Sequence, residues 1–184
     1  KELKKEIYIY NNDPVPKQYT FLPDTDKVKT AYNESFNCDL IIVLDVTPWE
    51  RLGRAQSLKQ YDLPILIIDH HLYDTPQEFK GVIDSNAAAT AELIYQLYEA
   101  GNIKISLESA KHIYTGLLTD TGRFRFSNTT SSVMEIAGKM IRIGVNPEKI
   151  TREVYYNRPI SYINNMAKVL NSIEIYQQKR TLIS

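Results

Sequence analysis

Short, fully apolar runs mark the first half of the chain, and apolar residues at helical spacing fill the second half. Leu40–Leu44 (Leu-Ile-Ile-Val-Leu) ends in Asp45, and Ile65–Ile68 (Ile-Leu-Ile-Ile) ends in Asp69-His70-His71. Runs this short and this uniformly apolar predict strands buried on both faces, as in a parallel sheet. Between them, Thr47-Pro48-Trp49-Glu50 supplies an N-cap, a first-turn proline and a capping-box carboxylate. That pattern predicts a helix over about 48–60, with Trp49 and Leu52 on its core face. A strand–helix–strand unit of this length implies parallel neighbours, which puts Asp45 and Asp69 at one edge of the sheet. Glu6–Tyr10 and Gly81–Ile83 predict further short strands, and residues 24–36 a short helix.

The second half reads as successive helices. One runs over Thr90–Ala100 and is stopped by Gly101. Ser106 caps a second over Leu107–Leu118, with Ala110, Ile113, Tyr114 and Leu117 on one face. Val133, Ile136, Ala137, Met140 and Ile141 mark a third, closed by Gly144, and Asn146-Pro147 opens a fourth with Ile150 and Val154 inward. Ile160, Ile163, Met166, Ala167 and Leu170 mark the last helix, and Ser172–Tyr176 and Thr181–Ile183 read as two strands. The expected fold is α/β: a parallel β-sheet flanked by helices over residues 1–158, a linker helix over 159–171, and the first strands of a second domain over 172–184.

Composition narrows the function classes. A chain of 184 residues with 43% hydrophobic content can bury the core of one domain, or of one domain and a piece of another. Its 22 basic and 22 acidic residues cancel, so there is no field for tracking a long nucleic acid, and positive potential is left to local pockets. The single cysteine, Cys38, forms no internal disulfide; it reads as a small buried filler, and the chain as cytoplasmic. Lys1–Glu6 is charged and lacks a following signal core, and no apolar run approaches the ~20 residues of a membrane span. Thirteen scattered tyrosines read as amphipathic rim residues, and His112 as a surface or interhelix residue.

The candidate chemistry lies where the strands end, because open α/β sheets bind ligands beyond the carboxyl ends of their strands. Asp69-His70-His71 is either such a site or a polar turn with solvated imidazoles. Asp120, within Thr119-Asp120-Thr121-Gly122-Arg123-Phe124, is either a third site residue or part of a helix terminus and turn. Together, Asp45, His70 and Asp120 offer oxygen and imidazole donors suited to manganese, iron, zinc or magnesium. Asp45 can bridge two ions, Asp69 can orient His70 through its second ring nitrogen, and His71 and Arg123 can neutralise phosphate oxygens. Three ligands are too few for two metals.

The same residues resemble the motifs of the DHH phosphoesterase family: Asp45 at a strand end, Asp69-His70-His71, and Thr119–Phe124. Asp84–Glu92 (Asp-Ser-Asn-Ala-Ala-Ala-Thr-Ala-Glu) and Phe126–Thr130 (Phe-Ser-Asn-Thr-Thr) are also similar, and the branch resembled most is that of nanoRNases and adenosine-bisphosphate phosphatases. The resemblance implies a hydrolase using two divalent ions, usually manganese, with magnesium also fitting, to activate water. It implies Asp45 as bridging ligand, His70 and Asp120 as ligands of one ion, Asp69 supporting His70, and His71 facing the substrate phosphate. The expected substrates are short oligonucleotides or nucleoside bisphosphates. The alternatives are a cyclic-dinucleotide phosphodiesterase and a non-catalytic nucleotide-binding module of the same fold. The family's opening strand, with a histidine and an Asp-x-Asp motif, has no counterpart here, and neither does most of its C-terminal substrate-binding domain. The expectation is therefore an internal piece of a longer enzyme, itself nearly inactive. Homodimerisation through strand and helix segments is compatible with the pattern.

Overall fold

The computed structural model describes all residues except 1–4, 32–37, 47–48, 62, 73–79, 177–179 and 184, and describes the backbone alone at 49–50, 59–61, 174–176 and 180–183. Three parallel strands carry the site: β3 (Ile41–Leu44), β4 (Ile65–Asp69) and β5 (Lys80–Ile83), paired in that order. Before them, β1 (Ile9–Tyr10) and β2 (Val28–Lys29) form a separate parallel pair. Helices α1 (Thr90–Ala100), α2 (Leu107–Asp120) and α3 (Ser131–Ile143) follow. After them come α4 (Pro147–Thr151), a π-helical turn over Arg152–Tyr156, α5 (Ile160–Asn171), and an antiparallel hairpin of β6 (Ile173–Tyr176) and β7 (Arg180–Ile183). The α/β fold with a parallel sheet and flanking helices is the one the pattern predicts.

The central sheet is not buried on both faces as expected: Ile42 and Leu44 of β3 and Val82 of β5 are exposed, and only β4 is largely enclosed. Val43 and Ile67 pack with Leu52 on one face, whereas Ile68 packs with Ala87 and Leu93 of the α1 region on the other. The main core lies among the helices, where Ala110, Leu117, Val133 and Met140 have no exposure. The helical spacing marked most of the inward face: Val133, Ile136, Ala137 and Met140 of α3 are buried, as are Ile150 and Val154, but Ile141 is exposed. Ser106 and Thr130 accept hydrogen bonds from the backbone N–H groups of Ser109 and Val133, which caps α2 and α3.

Several expectations are corrected. The segment over about 48–60 is not an α-helix but 3-10 helix, Trp49–Tyr61, interrupted at Gly53 (φ 56°, ψ −127°), where the backbone leaves helical space. Leu52 does face the core; Thr47-Pro48 and the side chains of Trp49 and Glu50 lie outside the described residues. Within 24–36 the helix is a single 3-10 turn (Thr25–Lys27) leading into β2, and residues 32–37 lie outside the described residues. The Glu6–Tyr10 strand shortens to Ile9–Tyr10. The tyrosines are not all rim residues, since Tyr95 and Tyr114 are buried. Cys38 is half-buried. The apolar stripe of α5 exists, but Ile160, Ile163, Met166 and Leu170 are exposed.

Candidate metal centre

Parallel pairing of β3 with β4 aligns Leu44 with Ile68, so the residues just past each strand emerge side by side. The Asp45 N–H donates to the Ile68 carbonyl (3.0 Å), which continues the ladder by one step. Asp45 then adopts φ 59°, a left-handed conformation costly for a residue with a Cβ. That turn points the chain away from the sheet instead of extending the strand. Asp120 arrives from a different direction, as the last residue of α2.

These elements converge on His70. Its Nε2 lies 3.6 Å from Asp45 Oδ1 and 3.7 Å from Asp120 Oδ2. Its other ring nitrogen, Nδ1, lies 3.2 Å from the Ala87 carbonyl. A carbonyl can only accept, so Nδ1 donates to it, which fixes the ring with Nε2 facing the two carboxylates. Asp45, His70 and His71 also bring one donor atom each within 4.8 Å of one another. Such separations between an imidazole lone pair and carboxylates leave room for an ion between them.

The electrostatics also suit a cation. Burial raises the Asp120 carboxyl above its ordinary value, the nearby Asp45 carboxylate raises it further, and His70, Thr119 and His71 oppose the shift. Two acidic groups held close in a partly desolvated corner are stabilised by a positive charge between them. The donor set therefore suits a divalent ion: Asp45, His70 and His71 bring donor atoms together, and Asp120 lies beside His70.

The structure corrects one role. Asp69 does not orient His70. It is fully buried, and its Oδ1 takes both the backbone N–H of His71 (3.1 Å) and His71 Nδ1 (2.7 Å). His70 is oriented by Ala87 instead. His71 Nδ1 lies at 4.0 Å from Asp45 Oδ1, next to the cluster. Arg123 is engaged elsewhere: its guanidinium lies 4.5 Å over the Tyr155 ring, and one amino group reaches the Tyr156 hydroxyl at 3.5 Å.

Sequence reasoning missed the supports. Thr90, the first residue of α1, donates its hydroxyl to Asp45 Oδ1 at 2.7 Å. Asn128 Nδ2 bridges the Ala88 and Asp120 carbonyls, both at 3.2 Å, tying the α1 entrance to the α2 exit. Glu92 is buried and accepts from the Ala88 N–H and the Ser132 hydroxyl. Ala87, Ala88 and Ala89 are buried here, so small side chains let this backbone approach the site. The signal was the Asp84–Glu92 and Phe126–Thr130 segments, which the resemblance marked without giving them a task.

The sequence signature of the DHH family, N-terminal domain, matches residues 2–117. The chain belongs to the DHH family. Asp120 lies just beyond that match, so its place in the centre rests on the geometry. Among curated relatives, the chain is 29% identical over 180 residues to the bifunctional oligoribonuclease and PAP phosphatase NrnA of Thermus thermophilus, covering 96% of this chain and 52% of that protein. It is 31% identical over 162 residues to the NrnA of Bacillus subtilis, covering 84% of this chain and 50% of that protein. The chain thus spans about half the length of these relatives. In fold it matches an exopolyphosphatase-related protein from Bacteroides fragilis with a TM-score of 0.85 at 24% identity, over 95% of this chain and 54% of that one. Among the described residues, no helix is long and apolar enough to cross a membrane.

Proposed function

We propose that this chain carries part of the active site of a metal-dependent phosphoesterase whose substrates are short oligonucleotides or nucleoside bisphosphates. The observation that carries the reading is His70 Nε2, aimed between Asp45 and Asp120 with its other nitrogen tied to Ala87. Divalent ions, manganese first and magnesium second, would be held by Asp45, His70 and Asp120; when bound they supply Lewis acidity and an activated water. A manganese-dependent inorganic pyrophosphatase of Clostridium acetobutylicum, described as probable, is 30% identical over 132 residues, which supports the choice of manganese. Asp45 would be the bridging ligand on this reading; it is exposed to solvent, and Thr90 donates to one of its oxygens.

His71 is the residue we assign to the substrate phosphate. Its half-exposed ring is locked by the buried Asp69 carboxylate, which lies 2.7 Å from Nδ1. A ring held in that orientation meets a phosphate oxygen without reorganising during reaction. Asp69 is thus a positioning residue for His71. Arg123 can offer the edge of its stacked guanidinium to a second phosphate oxygen.

The described donors suffice for one ion rather than two, which favours a second reading: a nucleotide-binding module that retains the fold without turnover. One assay separates the two. Hydrolysis of a labelled dinucleotide and of a nucleoside bisphosphate with Mn2+ is measured for this chain, for the product of the complete gene, and for Asp45→Ala in the latter. Turnover by the complete product that disappears in the mutant supports the enzyme; nucleotide binding without turnover in every form supports the module. On the enzyme reading this chain alone is nearly inactive, and the β6–β7 hairpin begins a substrate-binding domain.

A further inference from the structure

The turn after Asp120 is strained in a way the metal centre does not require. Gly122, Arg123 and Phe124 are all left-handed, at φ 56°, 65° and 59°. Two of the three carry side chains, and such conformations persist only where the surroundings enforce them. The turn sorts its side chains into two directions. Phe124 goes inward, edge-on to the buried Tyr114 at 5.7 Å. Arg123 goes outward over Tyr155, and Phe126 lies against Gly122, where an added Cβ would meet its ring carbons at 2.4–2.6 Å.

Arg123, Tyr155 and Tyr156 form an aromatic and basic surface next to Asp120, and Phe126 is exposed on the same turn as Arg123. The Arg123 N–H (2.8 Å) and the Tyr155 hydroxyl (3.5 Å) both donate to the Leu118 carbonyl, two residues before Asp120. Arg123 links Tyr155 to Tyr156, and Arg125 folds back through Nε onto the Gly122 carbonyl at 3.0 Å. Phe126 is 58% exposed and Tyr156 67%, and neither ring is covered by another described residue to the extent a core aromatic is. In a chain with no net charge, Arg123 and Arg125 alternate with Phe124 and Phe126 at this turn, and Tyr155 and Tyr156 of the π-helical turn stand beside Arg123. Exposed rings and a flat guanidinium accept a nucleobase by stacking, and the neighbouring arginines accept its phosphates.

We propose that Phe126, Tyr156 and the Tyr155–Arg123 stack form a nucleobase-binding subsite beside Asp120, selecting esters that carry a base over inorganic phosphates; this rests on the phosphoester reading of the metal centre. Arg123 is the positioning residue that holds the two tyrosines in one surface, and the left-handed turn holds Arg123.

The test uses the full 184-residue chain with Mn2+ and a dinucleotide containing 2-aminopurine, whose fluorescence is quenched by stacking. The wild-type chain quenches the probe. Phe126→Ala and Tyr156→Ala each lower dinucleotide affinity about tenfold relative to inorganic pyrophosphate affinity, the loss of roughly one stacked base. Tyr156→Phe retains the quenching. Both alanine variants sit on the surface and are checked for unchanged thermal unfolding. A wild-type chain that leaves the probe unquenched, or alanine variants that leave the affinity ratio unchanged, would overturn the subsite. Mn2+ binding is read separately by electron paramagnetic resonance, so failure of the metal centre is told apart from failure of the stacking surface.

Discussion

Asp120 shows what the centre costs before it holds an ion. Because burial and Asp45 raise its folded-state pKa, its charged form opposes folding above that raised value. The penalty disappears as pH falls toward the unfolded-state value of about 3.9. In the metal-free chain, Asp120→Asn should therefore raise the unfolding temperature at pH 7, and the gain should shrink as pH is lowered through that window. Asp69 has the opposite character. It is fully buried and holds His71 through two hydrogen bonds, so Asp69→Ala should destabilise by about 2 kcal/mol or more in denaturant titrations. The candidate donors Asp45 and His70 were legible because each follows an apolar strand run, and Asp120 by its place at the end of an amphipathic helix. The partner of Asp69 was legible too, in principle: residues two apart in an extended chain share a face, which joins Asp69 to His71 and not to His70. Thr90 and Ala87 could not be read this way, since only folding brings them to Asp45 and His70.

At the scale of elements, the site depends on how closely β5 approaches β4. Gly81 has φ 157°, and a Cβ there would fall 1.9 Å from the Ile67 carbonyl oxygen. Gly81→Ala should separate the strands, with a loss of more than about 3 kcal/mol and a matching loss of metal affinity. Thr90→Val is milder. It keeps α1 and removes only the hydroxyl on Asp45, so Mn2+ affinity should fall by about tenfold with little change in stability, measured by calorimetry. Helices were the legible elements: their 3.6-residue apolar spacing and their Ser106, Thr130 and Asn146 caps were all visible in the sequence. The 3-10 segment was not, because its capping pattern is that of an α-helix and the break depends on the left-handed Gly53.

For the whole molecule, the parallel sheet supplies Asp45, Asp69, His70 and His71 at one edge, and the helical layer returns Asp120 to it. The family signature ends near the α2 C-terminus, and the curated relatives continue to about twice this length. Among the described residues, the apolar face of α5 is exposed and the β6–β7 hairpin forms its own two-stranded sheet. On the proposed reading, Asp45, His70 and Asp120 together hold a divalent ion. Mn2+ titration of the 184-residue chain, followed by calorimetry, tests it directly, with Asp45→Ala and Asp120→Ala alongside. The account predicts saturable binding by the wild-type chain that both substitutions abolish. Binding that survives both substitutions, or no binding by the wild-type chain, would contradict it.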